Sequence, residues 1–235
     1  MNEKEFVEAL KEKNMLLTKD QLNKFQKYYE LVKEKNKEYN LTRIIKKEEV
    51  YLKHYYDSLT IVQSINLKEK LKLCDIGSGA GFPGIVLKIM FRNLDVTLVE
   101  SSGKKVDFLK LVIKELDLKK IKAVNERAED YIEKSRESFD VVTARAVAPL
   151  NILLELSAPF LKVGGTFIGM KGKKGFDELE LSGNAIKILG LEIKKIGKIF
   201  LPKENSERII ISLKKIKRTD KLYPRKYSQI KKKPL

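Results

Sequence analysis

The sequence predicts an α/β protein in which a helical segment precedes an open, mostly parallel sheet. This fold class rests on a helical pattern over residues 3–65, six short apolar runs from residue 71 onward, and a glycine-rich loop directly after the first run. The runs lie roughly 20 to 30 residues apart with helical segments between most of them, as in βαβ units. They are too few for a barrel of about eight units, so we expect an open sheet.

The N-terminal segment has the spacing of helices with one buried face, because apolar side chains recur every three or four residues. They are Phe6, Leu10, Leu17, Leu22, Phe25, Tyr28, Tyr29 and Val32, followed by Val50, Tyr51, His54, Leu59 and Val62. Thr18 or Asp20 is expected to cap the second helix. Residues 39–42 interrupt the pattern, and Asn40 could serve there only as a cap or a turn.

The six apolar runs are the expected strands. They are LKLCDIG (71–77), DVTLVE (95–100), IKAVN (121–125), FDVVTA (139–144), GTFIGM (165–170) and RIIISL (208–213). The pair Gly164-Gly165 marks a turn into one strand, and Gly190 and Gly197 bracket a further, late one.

The composition excludes several classes of protein. No apolar run approaches the roughly 20 residues of a membrane span, and the charged N-terminus lacks a signal core, so we expect a cytoplasmic protein. One Cys and one His exclude disulfide scaffolds and zinc clusters, and no metal site is expected. Cys74 lies within the first strand and is expected to be a buried, inert thiol.

Positive charge is concentrated at the C-terminus. The chain has 49 Lys+Arg against 32 Asp+Glu, a net charge of +17, and residues 214–235 hold ten basic residues and only Asp220. Such clustering indicates an arm that binds a polyanion such as RNA, since basic residues displace counterions from phosphates. A solvated, disordered tail is the alternative, although the tail contains Tyr223 and Tyr227, which solvation does not require.

The loop after the first strand has the composition of a ligand cradle. Residues 75–84 read DIGSGAGFPG, and glycines at alternate positions let the backbone turn sharply and approach a ligand. A dinucleotide site requires G-x-G-x-x-G, but the sixth position here is Phe82, which disfavours a nicotinamide oxidoreductase. Glu100 ends the second strand, where a carboxylate can accept both hydroxyls of an adenosine ribose.

This combination resembles the S-adenosylmethionine-dependent methyltransferases, which implies a Rossmann-like, mostly parallel seven-stranded sheet. By this resemblance Ala128 and Glu129 hold the adenine through a backbone N–H and an acid, although Glu129 could simply be a favourable acid at a helix N-terminus. Residues 143–146, Thr-Ala-Arg-Ala, lack the motif typical of enzymes that methylate exocyclic amines. The N7 atom of guanine needs no deprotonation, so a positioning catalyst suffices for it.

Further segments resemble one family, the ribosomal RNA small-subunit methyltransferase G family, also called glucose-inhibited division protein B. They are ESSGKKVDFL (100–109), ERAED (126–130), FDVVTARAVAPL (139–150), Met170-Lys171-Gly172, Asn40-Leu41-Thr42, His54 with Asp57-Ser58-Leu59, and the closing YPRK…KKPL. The resemblance covers essentially the whole chain. It implies methyl transfer from S-adenosylmethionine to guanine N7 in the decoding-region loop of 16S rRNA, with the rRNA or the small subunit as partner.

The resemblance also assigns residues. Cofactor contacts are expected at Gly77, Gly79, Gly81, Phe82, Glu100, Ala128, Glu129 and Arg145, with Arg145 as the catalytic residue near the methyl group. RNA contacts are expected at Lys104, Lys105, Lys171, Arg225 and Lys226. The family often has Gly-Thr-Pro in its tail, whereas residues 227–230 here are Tyr-Ser-Gln-Ile, so the path of the arm is open.

Several of these residues have structural alternatives. Arg145 could pair with a structural carboxylate, His54 and Asp57 could form a surface hydrogen-bonded pair, and Lys104 with Lys105 could be only solvated. We divide the chain into a helical cover (1–66), a Rossmann-like domain (67–213) and a basic arm (214–235), and expect a monomer. A ribosome-binding protein that uses the cofactor only as a sensor is the main alternative to an enzyme.

Overall fold

The computed structural model describes all 235 residues and contains one seven-stranded sheet. The strands, in chain order, are β1 Lys72–Ile76, β2 Asp95–Glu100, β3 Ile121–Asn125, β4 Phe139–Arg145, β5 Leu161–Lys171, β6 Leu191–Leu201 and β7 Ser206–Lys215. Their order across the sheet is β3-β2-β1-β4-β5-β7-β6, and β7 runs antiparallel to both of its neighbours. The first five strands are parallel, as predicted.

All six predicted runs form strands, and the structure extends two of the predicted elements. β5 begins at Leu161, before the Gly164-Gly165 pair, which lies inside the strand and not in a turn ahead of it. The late strand predicted between Gly190 and Gly197 runs through the second glycine to Leu201. Gly197 lies opposite Ile210 of β7, and the pairing with β7 continues beyond it. β6 therefore extends past the end that was predicted.

Helices cover both faces of the sheet. They are α1 Glu3–Lys11, α2 Lys19–Tyr39, α3 Lys47–Val50, α4 Asp57–Leu59, α5 Gly84–Met90, α6 Gly103–Glu115, α7 Ala128–Tyr131, α8 Leu150–Ser157, α9 Gly175–Glu180, α10 Gly183–Leu189 and α11 Tyr227–Lys232. A π-helical segment, Tyr51–Tyr56, joins α3 to α4. Thr18 caps α2 by accepting from Gln21 N at 3.2 Å, and Asn40 ends α2 with φ of +51°, the turn role considered for it.

The N-terminal helices share a core with the sheet. Alternate residues of a strand face opposite sides, so Leu73 belongs to the same core as Phe6, Phe25 and Tyr55, whereas Cys74 belongs to the core on the other face. Cys74 is fully buried, as predicted, and burial raises the pKa of its thiol well above the usual value. The predicted helical cover is therefore fused to the sheet through one continuous apolar core.

The C-terminal arm folds back onto the second core. Ile230 of α11 is fully buried, and Tyr223 and Tyr227 pack against the same apolar cluster. Arg225 anchors the arm to α8 through Glu155, a fully buried carboxylate. The arm is thus ordered protein and not the solvated tail considered from the sequence. No helix of the structure combines the length and apolar character that crossing a membrane requires.

Candidate cofactor and methyl-acceptor site

The glycine loop forms the centre of the site at the carboxyl end of β1. Gly77, Gly79 and Gly81 all have positive φ values, of 67°, 57° and 97°, which L side chains rarely adopt. Gly77 N donates to Val99 O at 2.8 Å, which ties the loop to β2. The sharp backbone turn expected at these glycines is present, and their approach to a ligand stays a prediction.

The three glycines face different surroundings. Gly77 lines a cavity, and a Cβ at Gly79 would find no other atom closer than 3.9 Å, so the backbone there borders open space. A Cβ at Gly81 would instead lie 2.6 Å from both Ile85 Cδ1 and the Tyr28 hydroxyl. Gly81 therefore serves packing and Gly79 leaves room for a ligand, while Gly77 lines the cavity but lacks space for a Cβ beside Val147.

Gly84 and Asp75 complete the loop; the sequence analysis included both in the motif of residues 75–84 without giving either a role of its own. A Cβ at Gly84 would lie 2.3 Å from Leu98 Cδ2, so this glycine lets α5 approach the sheet, as the third glycine of a dinucleotide fingerprint does. Gly84 N donates to Asp75 Oδ2 at 2.9 Å, whereas Asp75 Oδ1 is buried without a partner. Burial raises the pKa of Asp75 to about 7. The D-x-G-x-G spacing itself was the available clue.

Glu100 is fixed at the end of β2 by two backbone groups. Its Oε2 accepts from Gly79 N and its Oε1 from Ser102 N, both at 2.9 Å. The side chain is 7% exposed, so it borders the cavity without being free in solvent. Each carboxylate oxygen retains a lone pair for a further donor, such as a ribose hydroxyl.

A cavity of about 210 Å³ adjoins Gly77 and Glu100. Half of its lining is apolar. The lining residues are Ile76, Gly77, Val99, Glu100, Ser101, Glu126, Arg127, Ala128, Glu129, Val147, Leu156 and Tyr227. Ala128 and Glu129 thus lie beside Glu100 as predicted, and Tyr227 of the arm was not predicted there. We call this space the adenosine cavity.

The residues of this site fit an S-adenosyl cofactor. The backbone at Gly79 borders open space, and the adenosine cavity combines apolar residues with three carboxylates, those of Glu100, Glu126 and Glu129. Apolar residues suit the flat adenine ring, and a carboxylate can accept hydrogen bonds from the ribose hydroxyls. No group of His, Cys, Asp or Glu is arranged to hold a metal ion.

Arg145 lies at the end of β4 within a network of buried polar groups. Its Nη1 donates to Asp57 Oδ2 at 3.1 Å and to Lys53 O at 2.9 Å, and its Nη2 donates to His54 Nδ1 at 3.0 Å. Asp57 Oδ1 accepts from Arg208 Nε at 3.2 Å. Arg145 therefore does pair with a carboxylate, the structural alternative considered for it.

The surface pair proposed for His54 and Asp57 is wrong. The two residues are only 7% and 4% exposed, and both direct their polar atoms to Arg145. His54 lies on the π-helical segment and Asp57 at the start of α4. The prediction assumed the i, i+3 spacing of a regular α-helix, which this segment does not have. Arg208 on β7 is a further member that the sequence analysis missed, because no local pattern links residue 208 to residue 57.

His54 is a neutral hydrogen-bond relay. Burial, followed by the charge of Arg145, lowers the pKa of His54 to about 3. Arginine only donates, so His54 Nδ1 accepts and His54 Nε2 carries the proton. Nε2 then donates to Thr42 Oγ1 at 3.0 Å. His54 also stacks on Phe82, with ring centroids 4.3 Å apart.

Phe82 supports this network. It lines neither the adenosine cavity nor the second cavity described below. The Arg145 guanidinium lies 5.4 Å from the centroid of its ring, and Tyr28 packs against it as well. Tyr28 also donates its hydroxyl to Ala80 O in the glycine loop. Helix α2 therefore braces the loop, and Phe82 couples the loop to Arg145.

A second cavity, of about 620 Å³, opens beside Arg145. We call it the acceptor cavity. It is lined by Ile44, Lys53, His54, Asp57, Arg145, Ala146, Val147, Ala148, Pro149, Met170, Lys171, Gly172, Glu178 and Arg208. Val147 borders both cavities, and its Cγ2 lies 2.6 Å from where a Cβ of Gly77 would be. The two cavities are therefore neighbours, with Val147 as the residue that both share.

The residues expected to contact RNA occupy different environments. Lys104 and Lys226 are exposed, and Lys105 is half-buried at the start of α6. Lys171 is 7% exposed and donates to Ala148 O at 2.6 Å and to Glu178 at 2.7 Å. Arg225 forms a two-point ion pair with Glu155, at 2.8 and 2.6 Å. The side chains of Lys104, Lys105 and Lys226 thus form no ion pair, whereas Lys171 and Arg225 are engaged within the protein.

Solved structures with this fold include methyltransferases. A precorrin-6y C5,15-methyltransferase from Geobacter metallireducens has a TM-score of 0.55 at 16% identity, covering 77% of this chain and 95% of that one. A SAM dependent methyltransferase from Aquifex aeolicus has a TM-score of 0.54 at 17% identity, covering 70% of this chain and 92% of that one. At these identities the similarity establishes the fold alone.

The sequence comparisons are more specific. The profile described as rRNA small subunit methyltransferase G matches residues 21–207. Proteins named ribosomal RNA small subunit methyltransferase G from Bacillus cereus and Bacillus cytotoxicus are 45% and 44% identical over 228 residues, which is 96% of this chain and 95% of each relative. The match to this profile and the identity to these relatives over nearly the whole chain show that this chain belongs to the rRNA small subunit methyltransferase G family.

Proposed function

We propose that this protein transfers a methyl group from S-adenosylmethionine to N7 of a guanine in the decoding-region loop of 16S rRNA. Family membership supports the reaction class. The observation that carries the proposal is the pair of neighbouring cavities that share Val147, one suited to adenosine and the other open beside Arg145. A donor in the first and an acceptor in the second would lie next to each other.

The adenosine cavity would hold the cofactor through groups fixed before binding. Glu100 would accept hydrogen bonds from the ribose hydroxyls, and Ala128 and Glu129 would border the adenine. The backbone at Gly77 and Gly79 would lie beside the part of the cofactor that leads to the methyl group. Gly81 and Phe82 would act indirectly, by shaping the loop. The bound cofactor supplies an electrophilic methyl group on a sulfonium sulfur.

The chemistry requires orientation more than proton transfer. Guanine N7 carries an in-plane lone pair, so no residue has to remove a proton before the methyl group moves. The site agrees with this, since its one His is neutral and engaged at both ring nitrogens. Holding the two reactants in line supplies much of the rate acceleration. Arg145, in the lining of the acceptor cavity, would orient the base or the methionine end of the cofactor.

The RNA would approach over the basic surface that surrounds the site. Lys104, Lys105 and Lys226 would contact phosphates, because these side chains are free of the ion pairs that engage Lys171 and Arg225. We infer a cytoplasmic monomer that acts on 16S rRNA or on the small ribosomal subunit. Counterion release would make this binding strongly dependent on salt.

The direct test is methyl transfer from labelled S-adenosylmethionine to small subunits or to naked 16S rRNA, with the label mapped after digestion. Glu100→Ala should weaken cofactor binding by roughly 10- to 100-fold, since hydrogen bonds to a charged group are lost. Asp95→Ala, at the exposed opposite end of β2, is the matched control and should behave as wild type. Absence of label on any guanine with the wild-type protein would refute the proposal.

The same experiment separates the enzyme from a cofactor-sensing ribosome-binding protein. A sensor would bind S-adenosylmethionine in calorimetry and bind subunits, yet leave no label on the RNA. An enzyme would label one guanine, and S-adenosylhomocysteine would compete. Binding of a nicotinamide cofactor in place of S-adenosylmethionine would instead favour the oxidoreductase alternative.

A further inference from the structure

We propose that the C-terminal arm completes the cofactor site, with the ring of Tyr227 forming a wall against the adenine. This inference rests on the proposed function and extends it to a residue that differs from the usual family tail. Tyr227 lines the adenosine cavity together with Leu156, Ala128 and Glu129. It is the one aromatic side chain in that lining.

The position of Tyr227 follows from how the arm is anchored. Arg225, two residues earlier, donates its backbone N–H to Glu155 Oε1 at 2.9 Å and its guanidinium to both oxygens of Glu155. Ile230, three residues later, is fully buried in the second core. Tyr227 is thus held between two fixed points, on a short helix that packs against α8.

The chemistry of the cavity favours adenine as the partner of this ring. Glu100 marks the ribose end, and Ile76, Val99 and Leu156 provide an apolar surface. A flat aromatic side chain bordering such a space can stack on a base or contact its edge. Tyr227 is only half-buried, so its ring has surface left for a ligand.

The arrangement also separates the two roles of the arm. Tyr227 lies on the cavity side, whereas Lys226, Lys231, Lys232 and Lys233 are exposed. The arm would therefore serve the cofactor with its aromatic residue and leave its free lysines to a polyanion. Arg225 acts as a positioning residue in this scheme, because it holds Tyr227 through Glu155 and does not line the cavity.

The test measures binding by isothermal titration calorimetry, with S-adenosylhomocysteine and adenosine as ligands and without any turnover. Tyr227→Ala should weaken both ligands by the same factor, about tenfold, because both carry the adenine. Tyr227→Phe should bind within about twofold of wild type, since the ring is retained. Ser228→Ala, an exposed neighbour on the same helix, is the matched control.

The positioning role of Arg225 requires a double-mutant cycle. Arg225→Lys should weaken S-adenosylhomocysteine binding in the wild-type background and have no further effect in Tyr227→Ala, since the two residues act through one contact. Equal effects in both backgrounds would show that Arg225 does not act through Tyr227.

The outcomes distinguish this inference from the proposed function. If wild type binds S-adenosylhomocysteine and Tyr227→Ala binds it equally well, the inference is wrong while the methyltransferase proposal stands. A loss of RNA affinity in Tyr227→Ala with unchanged cofactor affinity would also overturn it. If the protein binds cofactor through Tyr227 but methylates no guanine, the inference holds and the proposed function fails.

Discussion

Asp57 and Arg145 form a buried ion pair of 3.1 Å between the N-terminal helices and the end of the central strand β4. Their side chains are 5% and 14% exposed. The other oxygen of Asp57 accepts from Arg208 on β7, so one carboxylate holds two arginines beside the acceptor cavity. This carboxylate therefore positions the guanidinium of Arg145 by direct contact.

Replacing Asp57 should therefore destabilise the fold and displace Arg145. We expect Asp57→Ala to lower the free energy of unfolding by about 3 kcal/mol, because two buried arginines lose their counter-charge. Urea unfolding measures this change. Asp20→Ala, which breaks exposed ion pairs with Lys24 and Arg92, is the control and should cost less than about 1 kcal/mol. Equal losses in the two variants would contradict a structural role for the buried pair.

His54 should make the protein less stable as the pH falls. The folded pKa is about 3, below the ordinary 6.5, so below pH 6.5 the unfolded chain binds a proton that the folded protein does not. Its stability contribution is complete above pH 6.5 and is lost progressively toward pH 3. The difference in unfolding free energy between wild type and His54→Asn should fall by about 2 kcal/mol between pH 8 and pH 5. A difference that is constant with pH would show that His54 titrates normally.

Substitution of two glycines of the loop should lower stability by different amounts. Gly81→Ala should lower stability by about 3 kcal/mol or more, because its Cβ would collide with Ile85 and the Tyr28 hydroxyl at a φ of +97°. Gly79→Ala should cost only about 1 to 2 kcal/mol, since its Cβ meets open space.

Gly79→Ala should also change the affinity for the cofactor. The new methyl group of Gly79→Ala would occupy the cradle, so the Kd for S-adenosylhomocysteine should rise roughly tenfold or more while the protein stays folded. Thermal unfolding and calorimetry on both variants check this. Unchanged affinity in a folded Gly79→Ala protein would mean that the ligand does not approach this backbone.

The basic residues should divide into RNA contacts and structural cations. Lys104→Ala with Lys105→Ala should weaken RNA binding and flatten the log–log salt dependence by roughly 0.7 to 0.9 for each lost phosphate contact. Binding titrations at several salt concentrations measure this slope.

Arg225→Ala provides the contrast. It should leave the slope unchanged and reduce stability by about 3 kcal/mol, because the buried Glu155 then loses its counter-charge and keeps only the backbone N–H of residue 225. A flatter slope for Arg225→Ala would show that RNA replaces Glu155 as its partner. Point variants are the appropriate tools, since deleting residues 214–235 would remove the end of β7 and the buried Ile230.

The sequence was sufficient for the features that depend on local pattern. Alternation of apolar runs predicted the parallel sheet, the glycines predicted a loop with positive φ, and Glu100 was expected beside that loop because parallel strands end at one edge. These relationships involve residues within one βαβ unit. A single chain contains the information for them because the turn chemistry and the strand period are visible directly.

The polar network around Arg145 could not be predicted in the same way. Arg145 lies 88 residues from Asp57 in the chain, and Arg208 lies 151 residues from it. Their meeting depends on β7 inserting next to β5 and on an irregular π-helical segment that turns both His54 and Asp57 inward. The docking of Arg225 on Glu155 is a similar case, since a basic tail by itself indicates only affinity for anions.

The burial of Ile230 links the order of the arm to the shape of the adenosine cavity. Ile230 fills a place in the second core, and Tyr227 on the same short helix borders the cavity. Local unfolding of this helix would expose Ile230 and open that side of the cavity while the sheet stays folded. The stability of the arm therefore sets how often that wall of the cavity is in place.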